Sequence, residues 1–143
     1  MKSYRGTPVS RGIVIGKVYK YSRKRTLIKT YQIDVEEVAE ELKRFAEARE
    51  IAHQTLLHIK EKASRDLGES QAQIFKAYIH MLNDPVFSEK IQELISEERL
   101  NVEGAIQKAL AELSEKFRRL DNDYFQERLR DIEDVLSHLL GAL

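Results

Sequence analysis

The chain has 143 residues, a length that suggests one domain with an apolar core and argues against a multidomain enzyme. Its 24 Lys and Arg balance 24 Asp and Glu, so global charge offers no argument for nucleic acid or an anionic membrane as partner. Cysteine is absent, which excludes disulfides, iron-sulfur clusters, thiolate zinc sites and a Cys nucleophile, and leaves any metal site to His and carboxylates.

No apolar run approaches the roughly 18 residues of a membrane span, and the N-terminus, with Arg5 and Arg11, lacks a signal-peptide core. The expectation is a cytoplasmic chain with neither membrane nor nucleic acid among its partners. The balanced charge hides a division. Residues 1–33 carry nine basic residues and no acid, leaving 15 basic against 24 acidic residues in the remainder. Such asymmetry predicts distinct surfaces, and the acidic part favours a basic partner.

Residues 4–21, YRGTPVSRGIVIGKVYKY, are rich in β-branched and aromatic residues and punctuated by Gly6, Gly12 and Gly16, which predicts one or two short strands. From Asp34 the pattern turns helical and stays so. Asp34 with Glu37 resembles a capping box, and Val35, Val38, Leu42, Phe45, Ala52, Leu56 and Ile59 recur at helical spacing toward a stop at Leu67 and Gly68. Ser70 with Gln73 is a second capping-box pattern, opening a helix through Ile74, Phe75, Tyr78, Ile79 and Leu82. Asp84 before Pro85 predicts a kink or break at 83–85, with a restart through Phe87, Ile91, Leu94 and Ile95. Asn101 and Asp121 are candidate caps for two further segments, one through Ile106, Leu110, Leu113 and Phe117, the other through Phe125, Leu129, Ile132, Leu136 and Leu139. The predicted fold is mostly α: a four-helix bundle over 34–143 with a kinked or broken second helix, preceded by a short N-terminal β-strand pair within 1–33.

Catalytic patterns are sparse. Glu50 and His53 give one Glu-x-x-His, where a carboxylate-bridged metal bundle needs two. His58, His80 and His138 read as surface or boundary residues, and Asp121 with Asp123 starts a calcium-loop pattern that Phe125 breaks. The segment from Leu129 to Leu140 loosely resembles the first helix of an all-helical chorismate mutase, but its surroundings are acidic where that enzyme gathers arginines and lysines around a dianionic substrate. More telling is the surplus of apolar residues at the break. Met81, Val86 and Phe87 sit beside Asn83, Asp84 and Pro85, where the helix axis must shift and not every large side chain can face inward. They form a candidate binding face for a basic partner, with completion of the core as the competing reading.

Three stretches carry a resemblance to a family. GTPVSRGIVIGKV resembles the N-terminal strand pair of enzyme I of the phosphoenolpyruvate:sugar phosphotransferase system. IFKAYIHMLNDPVF resembles its "IFEAHxxMLxDPxL" stretch, and LDNDYFQERLRDIEDVLSHLLGAL its "xDxYxxERxxDxxDVxxRLL" helix. Arg11 stands where the family often has Pro, and Tyr78 where His is common. The resemblance implies that 1–33 are the N-terminal strands of an incomplete α/β subdomain and that 34–143 are the helical subdomain docking the phosphocarrier HPr. It implies an HPr-binding face of Glu69, Ser70, Tyr78, Met81, Leu82, Asp84, Phe87, Phe125 and Arg128, with core as the competing reading for Leu82 and Phe125. The accepting histidine of the family lies in a Gly-Gly-x-Thr-Ser-His motif, and none of His53, His58, His80 and His138 has that context. No catalytic residue and no metal is therefore assigned, and no cofactor is expected in this chain, although the parent family uses magnesium. The alternative is a free-standing acidic helical adaptor or dimerisation module that binds another basic protein.

Overall fold

Asp34 opens the helical body: its N–H donates to Glu37 Oε2 at 2.9 Å, the reciprocal half of a capping box. A 3-10 turn over Val35–Glu37 leads into α1 (Val38–Leu67). The structure, a computed structural model, describes residues 3, 5–7, 11–13, 15–17, 19, 28–119 and 123–143, with backbone alone at 117, 118 and 123–128. Its 30-residue α1, about 45 Å long, buries Phe45, Ala48, Ala52, Leu56 and Ala63 along one stripe.

Gly68 ends α1 at φ 100°, its N–H donating to Ser64 O, and its own carbonyl accepts from Ala72 N at 3.3 Å to begin α2 (Glu69–Leu82). One glycine thus serves as exit and entry, since a φ of 100° suits no side-chain-bearing residue. Ser70 consequently lies inside α2, and the cap expected of it is not made.

The break at 83–85 is complete, so α2 and α3 (Pro85–Ser96) are separate helices, and with α4 (Val102–Arg118) and α5 (Asp123–Gly141) there are five helices among the described residues, where a four-helix count was expected. Pro85 forces Asp84 into an extended conformation (ψ 121°), and Asp84 then caps α3 by accepting from Val86 N at 2.8 Å. No strand occurs among the described residues. Residue 32 makes only an isolated antiparallel bridge to residue 100, and Val14, Val18 and Tyr21 of the expected strand pair lie outside the described residues.

The long α1 touches each of the other four helices, α2 most extensively, while α3 packs on α4, α4 on α5 and α5 on α2. Phe45, Leu56, Leu82, Ile91, Leu94, Ile95, Ile106, Leu136 and Leu139 fill the space between them. Asn101, expected to cap α4, occupies the cap position but aims its amide at the strap 29–31. The orphan N–H of Val102 is instead taken by Glu41 Oε2 of α1 at 2.7 Å. Arg44 completes this corner, bonding Glu41 at 2.5 Å and Glu103 at 2.8 Å, so α1 and the start of α4 are joined by charge-assisted hydrogen bonds. Asp121 lies outside the described residues.

Candidate docking site

The α2–α3 break and α5 build the candidate site together. Pro85 separates α3 from α2, and among the described residues the backbones of α3 and α5 do not approach closely. The gap they leave is an apolar pocket of about 100 Å³, open on one side, lined by Met81, Asp84, Phe87, Ile132, Val135 and Leu136. Met81 and Phe87 are half-buried: each packs against the core on one side and lines the pocket on the other. The choice between core and face therefore has a geometric answer, because helices that diverge at a break leave the same side chain in both environments. Val86, pointing away from the body, is 75% exposed beside them.

Among the described residues, Asp84 is the only acid lining the pocket. Its Oδ1 is engaged by Val86 N, which fixes the carboxylate at the start of α3, where the helix dipole also favours negative charge. The opposite wall is α5, whose Ile132, Val135, Leu136 and Leu139 recur at i, i+3, i+4 and i+7. Tyr78, 6% exposed, donates from its hydroxyl to Asp134 Oδ2 at 3.3 Å and so ties α2 to α5 beside the pocket. Phe75 meets Tyr78 edge-on, with ring centroids 6.1 Å apart.

Of the nine residues expected on the binding face, Met81, Asp84 and Phe87 converge on the pocket, and Tyr78 stands behind it. Leu82, 1% exposed, belongs to the core and supports the face from beneath. Glu69 and Ser70 are exposed in the first turn of α2, more than two helical turns from Met81. The side chains of Phe125 and Arg128 lie outside the described residues. The residues that sequence reasoning missed are Ile132, Val135 and Leu136. Ile132 and Leu136 read as ordinary core spacing, and nothing in their own segment says that the stripe faces a gap left by a distant break.

No cluster of three or more metal-ligating side chains occurs among the described residues, and none of their helices is long and apolar enough to cross a membrane.

The chain is similar to known proteins in sequence and in its mostly helical fold. The chain belongs to the PEP-utilising enzyme family: the family described as "PEP-utilising enzyme, N-terminal" matches residues 5–128. Within that family its counterparts are phosphoenolpyruvate-protein phosphotransferases. The one from Listeria monocytogenes is 40% identical over 145 residues, which cover 99% of this chain and 25% of the relative. The one from Bacillus subtilis is 33% identical over 143 residues, covering 100% of this chain and 25% of the relative. A solution structure of Enzyme I superposes with a TM-score of 0.78 at 27% identity, covering 83% of this chain and 48% of that one. The chain thus spans about a quarter of the length of the curated relatives it matches and corresponds to the N-terminal domain of enzyme I. That is the part of the enzyme without the phosphoenolpyruvate and magnesium site.

Proposed function

We propose that this chain is the part of a phosphoenolpyruvate-protein phosphotransferase that docks the phosphocarrier HPr, and that the pocket between the α2–α3 break and α5 receives it. The observation that carries this reading is the convergence of Met81, Phe87, Ile132 and Val135 around an opening with Asp84 at its edge. Half-buried apolar side chains held by the core provide anchors at little ordering cost, and the fixed carboxylate favours a basic partner.

Docking is the whole of the proposed activity of this chain. The four histidines lack the Gly-Gly-x-Thr-Ser-His context, so phosphoryl transfer from phosphoenolpyruvate is assigned to sequence other than these 143 residues. Calorimetric titration of the chain with HPr tests the reading, alongside incubation with labelled phosphoenolpyruvate and magnesium. Saturable one-to-one binding without labelling of the chain is expected. Absence of HPr binding, or a phosphohistidine on His53, His58, His80 or His138, overturns it. Saturable capture of a different basic protein, with HPr ignored, would favour the adaptor reading.

A further inference from the structure

Away from the pocket, the end of α3 and the start of α4 hold an extended strap of chain, residues 29–33. Nearly every bond that fastens it passes through the loop 99–101. Asn101, 1% exposed, uses both ends of its amide: Oδ1 accepts from Tyr31 N at 3.0 Å, and Nδ2 donates to Lys29 O at 2.9 Å and to Glu103 Oε2 at 2.8 Å. Its backbone N–H donates to Tyr31 O at 3.1 Å, and Ile33 N donates to Arg99 O at 2.8 Å. Outside the loop, Thr30 Oγ1 reaches Gln107 Oε1 at 3.2 Å.

Two further observations mark this loop as built for the strap. Arg99 has φ 53°, the only non-glycine residue with a positive φ among the described residues, and its strained peptide supplies the carbonyl that Ile33 uses. Gly104 lies so close that a Cβ there would stand 2.7 Å from both Asn101 Oδ1 and Thr30 Cγ2. Strain, a glycine and a buried amide therefore converge on five residues of which all but Ile33 are exposed.

We infer that residues 29–33 form a latch with Asn101 as its catch, and that the latch opens as a unit distinct from the unfolding of the bundle. The physical basis is the distribution of contacts. Ile33 alone among the five strap residues is buried and joins the apolar core; the other four are exposed and are held by hydrogen bonds, two of them to the Asn101 side chain, whereas α1–α5 share the core along their length. Closed, the latch fixes where the basic N-terminal segment meets the helical body, at the far end of α3 from the pocket, about 18 Å along a 12-residue helix. It stands independently of the docking reading.

Amide hydrogen exchange on the full chain tests this. In the unaltered protein, the amides of Tyr31 and Ile33 are expected to exchange with one common opening constant, at least tenfold larger than that of core amides such as Ile106 and Leu136. Asn101→Ala should raise exchange at Tyr31 and Ile33 at least a further tenfold while leaving Ile106 and Leu136 unchanged. Gly104→Ala, which displaces Thr30 and the catch while retaining the amide, should act in the same direction and decides the matter should Asn101→Ala not fold. Strap amides that open only with the core in the unaltered protein, or that do not respond to either substitution, overturn the inference.

Discussion

Phe87 and Leu82 lie five residues apart, yet truncating them should have different consequences. Leu82 is fully enclosed, so Leu82→Ala should cost about 2–5 kcal/mol of folding stability. Phe87 shares its surface between core and pocket. Phe87→Ala should therefore destabilise less than Leu82→Ala and weaken partner binding by about 2 kcal/mol, roughly thirtyfold. Thermal melts of both variants with partner titrations of Phe87→Ala check this; loss of stability in Phe87→Ala with affinity intact would return the residue to the core alone. A second residue-scale expectation concerns acid. Burial alone would raise the Glu103 carboxyl, but its own backbone N–H, Arg44 and Asn101 together hold it below the ordinary glutamate value of 4.5. A folded value below the unfolded one contributes stability above the unfolded value, and that stability is lost as pH falls through the folded value. Melting temperature should thus fall on acidification below about pH 4.5, and Glu103→Gln should flatten that limb while lowering stability at neutral pH.

At the scale of elements, the α2–α3 break separates two roles of one aspartate. Asp84 caps α3 through Val86 N and also places an acid on the pocket. Asn is as good a cap as Asp, so Asp84→Asn should keep the melting temperature while slowing partner association at low salt, a difference that fades as salt rises. Asp84→Ala should show the same kinetic loss together with about 1 kcal/mol of destabilisation. Stopped-flow association rates across a salt series, set beside thermal melts, distinguish the two substitutions. The turn at Gly68 offers a parallel test. Its φ of 100° makes Gly68→Ala strained, and a loss of roughly 1–3 kcal/mol is expected in the melt, with the pocket unaffected.

For the whole molecule, what was legible in the sequence followed from local chemistry. The break was legible because Asp-Pro restricts the backbone by itself, and the stop at Gly68 because glycine does the same. Helical periodicity located the core residues Phe45, Leu56, Leu82, Ile106 and Leu136. What was not legible depended on chain distant in sequence. Ser70 looks like a cap, but α2 is already begun at Gly68. Asn101 looks like a cap, but the strap claims its amide, and Glu41, 61 positions from Val102, accepts the Val102 N–H. Ile132 and Leu136 read as core spacing because no local signal tells that α5 lines a pocket with the α2–α3 break. The pocket is a consequence of packing, so only its α2–α3 half could be named in advance.

The central claim is that HPr docks in the pocket between the break and α5. Nuclear magnetic resonance titration of the isotopically labelled chain with unlabelled HPr tests it most directly. The largest shifts are predicted at the Met81, Ile132 and Val135 methyls and the Phe87 ring, with Leu56 and Ile95 in the core and Tyr31 on the strap little changed. Saturable shifts confined to another face, or none at partner concentrations well above the protein's, would contradict the account.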